Sequence, residues 1–435
     1  MEELRGQRVL VLGLGISGRS AATFCASRGA RVLAVDERKD IQTQNLPEEV
    51  EVQLGGSLPD PRDFDLVVPS PGVARERYAQ GARRICGDVA LAIHALRIPV
   101  VAVTGTNGKS TTVRLAEAML RAAGWRAMAA GNVGHPALDL VGQPLDAAVL
   151  EISSFQLEAA DDLRPQVAVC LAVTPDHLDR HHDLAAYRAA KRRIFAAQRA
   201  EDLAVLDADD AWLAEIGPGL PARVLWFSCR RPVERGAFLD GECVCLAGGE
   251  EVVRLPLAGL SPDLTAFPGN LMAAFLAVQA LGADLRKAQT ALPGFASLPH
   301  RNELVAERRE VLWIDDSKAT NPGAAAAALA RQSGPVIWIA GGRDKGLPFE
   351  ALGQTLGRVR IALLIGESAP RLAAALAGKT IVETAGTLEA AVERAAALAR
   401  PGDVVLLSPA CASFDQFASF EERGERFRSL VEARA

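Results

Sequence analysis

Residues 100–112 read VVAVTGTNGKSTT, an apolar run that ends in a glycine-rich turn. A β-forming run reaches Gly105, the turn Thr106-Asn107-Gly108 follows, and Lys109-Ser110-Thr111 open a helix. Bare N–H groups of such a turn cradle phosphate oxygens, a lysine reaches the terminal phosphates, and Ser110 or Thr111 can ligate Mg²⁺. The common phosphate-loop pattern asks for another glycine four residues before Asn107, where Val103 stands. The strand–turn–helix context still predicts a nucleoside-triphosphate site.

Around this stretch, short β-branched runs alternate with Ala/Leu/Arg segments of helical period, the pattern of βαβ units and parallel sheets. A first set comprises RVLVLG (8–13), RVLAVDE (31–37), DLVVPS (65–70) and an apolar helix near 88–96. A second runs from VVAVTG (100–105) through AAVLEIS (147–153), VAVCLAVT (167–174), LAVLDAD (203–209) and VLWFS (224–228). A meander over about 237–257 and a helix over 270–281 complete it. A third comprises VLWIDDS (311–317), PVIWIAGG (335–342), IALLIG (361–366), TIVET (380–384) and DVVLLSPA (403–410), with the alanine run 324–328 read as a packed helix. The expectation is an α/β chain of three domains, residues 1–94, 95–297 and 298–435.

The composition agrees with this. The chain has 435 residues, 49% of them apolar and 23% charged, which excludes extensive disorder. A net charge of −5 without charge blocks gives no reason to expect nucleic-acid binding. Seven cysteines without a CxxC pair read as reduced core thiols. Without a signal-peptide pattern or an 18-residue apolar stretch, the expectation is a soluble, cytoplasmic chain with no membrane insertion.

A second glycine-rich turn, Gly13-Leu14-Gly15-Ile16-Ser17-Gly18, follows a strand and opens a helix, and Asp36 ends the next strand. This places a nucleotide pyrophosphate on a helix N-terminus and leaves the nucleotide open, NAD or a UDP-linked sugar. Ser70-Pro71-Gly72 closes a later strand at the same edge. Glu151 ends AAVLEIS, where a carboxylate either reaches Mg²⁺ on ATP or caps the next helix. His177, in TPDHLDRHH, is a further candidate ligand or a solvated side chain. Lys191 stands in YRAAKRRIF beside Arg192 and Arg193, in a chain where 41 of 48 basic residues are Arg. Either all three cations face solvent, or Lys191 does something arginine cannot, such as forming a carbamate with CO₂.

The chain resembles the Mur ligases of bacterial peptidoglycan synthesis over residues 5–430. The motifs are TGTNGKSTT, LEISSFQLE (150–158), TPDHLDRH (174–181), YRAAKRRIF (187–195), LPHRNE (298–303), DDSKATNP (315–322), AGGRDKG (340–346) and SPACASFDQF (408–417), in that order. The resemblance implies an N-terminal Rossmann-like UDP-binding domain, a central ATPase domain with a mostly parallel sheet, and a C-terminal Rossmann-like domain for the amino acid. It implies ATP-dependent ligation of D-glutamate to UDP-N-acetylmuramoyl-L-alanine through an acyl phosphate, with two Mg²⁺ and a monomeric chain. Ile16, Ser17, Asp36, Ser70, Gly72, Asn132, Ser153 and Gln156 would serve the UDP substrate. Gly105, Thr106, Asn107, Gly108, Lys109, Ser110, Thr111, Asn270, Arg301 and Asp316 would serve ATP. Lys318, Thr320, Lys345, Ser413 and Phe420 would hold D-glutamate. Ser110, Glu151, His177 and a carbamoylated Lys191 would serve the metal, and Lys109, Glu151, His177 and Lys191 the catalysis.

Four of the seven lysines, Lys109, Lys191, Lys318 and Lys345, fall inside these motifs. Two positions depart from the family pattern. The nucleotide helix reads Gly269-Asn270-Leu271-Met272-Ala273, without the usual His before Asn270 or the second Asn after it, and Phe414 replaces an expected Leu. Rival readings are a ligase adding diaminopimelate or lysine, an NAD-dependent oxidoreductase, which leaves TGTNGKSTT without a role, and a non-catalytic ATP switch.

Overall fold

The computed structural model describes residues 4–248, 253–296 and 298–433. Three mostly parallel sheets carry the chain, one for each expected domain. The N-terminal sheet has the spatial order Glu51–Leu54, Arg31–Asp36, Arg8–Leu12, Leu66–Pro69, all parallel. This 3-2-1-4 arrangement is half of a Rossmann sheet, with the glycine-rich turn at the carboxyl end of its first strand.

In the nine-stranded central sheet, Val100–Thr104 lies between Ala147–Glu151 and Val167–Cys170. Every residue of these three strands is buried, which is why they read as unbroken apolar runs. Helix Pro268–Ala280 covers the sheet and is buried without a break from Leu271 to Val278. A helix apolar all round belongs inside a core. The expected meander forms from Gly236–Asp240, Cys243–Ala247 and Val253–Pro256, antiparallel to one another, and its residues 249–252 lie outside the described residues.

The third sheet has the order Glu303–Arg308, Val311–Asp315, Val404–Leu407, Val336–Gly341, Val359–Ile365, Val382–Gly386. Its first two strands form an antiparallel hairpin and the rest are parallel. The alanine run forms helix Pro322–Ala330, capped by Asn321.

The first two sheets lie in one compact unit (residues 1–173 and 185–295). The third lies in another, which also includes residues 174–184. Five of the seven cysteines are buried free thiols, as expected; Cys229 is exposed and Cys243 half-buried. Among the described residues no helix is long and apolar enough to cross a membrane.

Candidate active site

The phosphate loop leaves its buried strand through Gly105 (φ 141°) and enters helix Lys109–Ala122 through Gly108 (φ 85°). Both conformations favour glycine. Space is also short: a Cβ on Gly105 would lie 2.6 Å from Leu171 Cβ, and one on Gly108 2.2 Å from Asn270 Oδ1. Asn270 thus stands directly against the loop. At the position before it, a Cβ on Gly269 would meet Phe227 at 3.4 Å and Cys229 Sγ at 3.7 Å.

Two lysines converge on one carbonyl. Lys109 Nζ donates to Gly105 O (3.0 Å) and Thr106 O (2.8 Å), and Lys191 Nζ donates to Gly105 O (2.8 Å). Lys191 is 1% exposed and lies 4.7 Å from the centre of the Tyr187 ring, whereas Arg192 is exposed. The solvated-face reading of Lys191 is therefore wrong. The helix turns this residue inward and its arginine neighbour outward. Tyr187, not singled out in the sequence, is buried beside it, 3.3 Å from Thr106 Oγ1 through its hydroxyl.

Glu151 is paired in register with Val103, on the strand next to the loop. It is 2% exposed; Oε1 accepts from Asn132 Nδ2 (2.8 Å), while Oε2 has no hydrogen-bond partner among the described residues. It does not cap the next helix, because Ser153 and Gln156 do so as a capping box. A buried carboxylate oxygen without a donor is costly, and a hard cation such as Mg²⁺ answers it. Ser110, also buried, opens the neighbouring helix.

Asn132 also lines a cavity of about 550 Å³. Seven of the eight residues expected to serve the UDP substrate line it: Ile16, Ser17, Asp36, Ser70, Gly72, Asn132 and Gln156. Ser153 does not; its hydroxyl is turned to Gln156. Asp36 serves the wall, accepting from Leu14 N–H (2.7 Å) and from the Arg38 side chain (3.0 and 3.1 Å). The Arg38 hydrogen bond, opposed by burial, holds its carboxyl down at about 2. At Gly18 an added Cβ would meet Gly13 O at 1.7 Å, so helix and turn close only on glycine.

In the second unit, His177 adopts a left-handed backbone (φ 53°) next to buried Asp176. Asp176 accepts from Lys345 Nζ (3.1 Å), Asn321 Nδ2 (3.1 Å) and His177 N–H (2.8 Å). Burial would raise its carboxyl; the charges of Lys345 and His177 outweigh this and leave it below the usual range. Asp316 is different: burial pushes it up to about 7, against hydrogen bonds from Ser408 Oγ and Asn302 N–H and the charge of Arg301. Lys318 Nζ lies 3.7 Å from the centre of the Phe420 ring. Arg423, 1% exposed, donates to the carbonyls of Ser317, Cys411 and Ala412, bracing the segments that carry Lys318 and Ser413. Phe414, beside Ser413, is 63% exposed.

Three family models match the chain. The Mur ligase MurD-like N-terminal domain matches residues 7–83, the Mur ligase middle domain 103–261, and the Mur ligase glutamate ligase domain 300–411. A UDP-N-acetylmuramoylalanine–D-glutamate ligase of Geobacter metallireducens is 42% identical, over 99% of this chain and 98% of the relative. The chain belongs to the Mur ligase family. A ligase of the same name from Anaeromyxobacter dehalogenans is 44% identical, over 100% of this chain and 99% of the relative. Among solved structures, the MurF ligase of Thermotoga maritima in complex with ADP shares the fold at a TM-score of 0.61 and 19% identity, covering 100% of this chain and 97% of that one. A pseudomurein peptide ligase type C from Methanothermus fervidus does so at 0.62 and 18%, covering 99% and 100%. This Mur ligase therefore has relatives of similar length throughout.

Proposed function

We propose that this Mur ligase joins D-glutamate to UDP-N-acetylmuramoyl-L-alanine at the expense of ATP. Asn132 carries the reading: it lines the cavity suited to the UDP substrate and donates to Glu151, whose other oxygen is buried without a donor beside the phosphate loop. A carboxylate held in that cavity thus has the ATP-binding edge next to it. The amino acid is assigned from the names of the 42–44% identical relatives.

Amide formation from a carboxylate in water is uphill, so the carboxylate must first be activated. Its oxygen attacks the γ-phosphorus of ATP, the bond to the β-γ bridging oxygen breaks, and ADP leaves. The D-glutamate amine then attacks the acyl carbon, inorganic phosphate departs, and the amine loses its proton. Lys109 and the loop amides hold phosphate charge that would otherwise repel the approaching carboxylate. Ser110, Glu151, His177 and Lys191 as its carbamate would hold Mg²⁺, which when bound supplies charge neutralisation at the phosphates. The carbamate forms when the neutral Lys191 amine adds CO₂ and releases a proton. Lys318, Thr320, Lys345, Ser413 and Phe420 serve D-glutamate, and the cations among them answer its two carboxylates.

The test is phosphate release by purified protein with ATP, UDP-N-acetylmuramoyl-L-alanine and either D-glutamate, L-glutamate or diaminopimelate. Turnover with D-glutamate alone is expected. Turnover with diaminopimelate alone would move the chain to another branch of the family.

A further inference from the structure

Asp88 opens helix Asp88–Ala95 and is 3% exposed. The residue before it is pinned to the central sheet's side of the cavity. Gly87 N–H donates to Ala159 O (2.7 Å), and a Cβ on Gly87 would come within 3.2 Å of Ala159 Cβ. Across this seam Gln156 Nε2 donates to Asp88 Oδ2 (3.4 Å). The other end of the Gln156 amide is also fixed, since Oε1 accepts from Ser153 N–H (3.1 Å) and Ser153 Oγ (3.2 Å). Ser17 and Gln156 line the 550 Å³ cavity, and Asp88 stands behind them.

We propose that Asp88 is a positioning residue for the nucleoside-diphosphate substrate, holding the Gln156 amide in one arrangement. The inference rests on the reading of the cavity given above. Asp88 heads the helix that follows the N-terminal sheet and Gln156 follows a strand of the central sheet, so this one contact ties the two sides together. With one N–H of Gln156 Nε2 committed to Asp88, its second is left for a diphosphate or sugar oxygen. Burial raises the Asp88 carboxyl above its usual range. The competing role for Asp88 is support of its own helix, as the acidic residue of the first turn.

Asp88→Ser separates the two roles. Serine keeps a capping oxygen but is too short to hold Gln156, whereas Asp88→Asn keeps size and one acceptor. Binding of UDP and of UDP-N-acetylmuramoyl-L-alanine is measured by calorimetry, alongside KM and kcat for all three substrates. Asp88→Ser should weaken precursor binding about tenfold or more, the scale of a hydrogen bond to a charged group, with kcat and the KM for ATP within about twofold. Asp88→Asn should recover most of the loss. Asp88→Ser combined with Gln156→Ala should bind no worse than the weaker single variant. Unchanged precursor binding in Asp88→Ser, or additive losses in the double variant, would overturn the proposal. If Asp88→Ser does not fold, Asp88→Thr, as short and with a capping oxygen, goes through the same cycle and is judged by the same criterion. A wild-type protein that binds no UDP-linked precursor would instead defeat the functional reading itself.

Discussion

Replacing Gly108 with alanine tests the phosphate loop without removing a charged group. Gly108 has φ 85°, a left-handed conformation that costs an L-residue about 1–2 kcal/mol. The new methyl would lie 2.2 Å from Asn270 Oδ1, 3.0 Å from Asn270 Cγ and 3.1 Å from Leu171 Cδ1. The nearest atom is the end of a flexible side chain, so Asn270 swings away at a further cost of about 0.5–1.5 kcal/mol. The sum, about 1.5–3.5 kcal/mol, lowers the melting temperature by about 3–14 °C in a domain of this size. Function should suffer more selectively. Displacing Asn270 and placing a methyl in the cradle should raise the KM for ATP about tenfold or more. Binding of the UDP precursor should hold, since the cavity is built from other residues. Phosphate release titrated with ATP and then with precursor gives both constants, and a melting curve gives the stability. Adding Asn270→Ala should recover part of the stability and none of the ATP affinity. An unchanged KM for ATP in a variant that melts earlier would refute the assignment of this loop to phosphate.

Lys191→Ala should lose most activity and regain part of it when a short carboxylic acid is added to the assay. Because Lys191 is buried, Lys191→Arg should also be impaired, and full activity there would end the carbamate reading. Lys345→Ala should raise the KM for D-glutamate about 10–100-fold and lower the melting temperature, because it leaves buried Asp176 without its cation; an unchanged KM would remove Lys345 from the pocket. Asp36 titrates at about 2 in the folded chain against 3.8 ordinarily, so its contribution to stability is complete above about pH 4 and lost as the pH falls through 2. Asp36→Asn should therefore flatten the acid limb of a stability–pH profile, and an unaltered limb would contradict the Arg38 pairing.

The buried strands were legible because they are unbroken β-branched runs. The strands that escaped notice have physical reasons for doing so. Ala127–Gly131 reads AMAAG, weak in β propensity, and gains its place by pairing with Ala147–Glu151. Glu51–Leu54 is a half-exposed sheet edge, and Glu303–Arg308 an edge hairpin strand whose alternation is broken by a bulge after Leu304. In the site, the candidate ligands stood out by chemical type at strand ends and in lysine-poor sequence. Their buried partners did not: Asp176 and Tyr187 lie inside quoted motifs and Asp88 outside them, and a partner is defined only by the folded contact. Asp88 did leave one sign, an acid heading a helix otherwise apolar but for His94.

The membership of residues 174–184 in the second unit has a bearing on inheritance and engineering. A chimera that exchanges everything after residue 295 between two family members would bring one parent's Lys345 to the other parent's Asp176 and His177. A recombinant fragment starting at residue 298 would likewise carry Lys345 without its counter-charge. The transferable module of this protein is therefore discontinuous in its gene, and crossover libraries should co-select Thr174–Leu184 with the C-terminal segment.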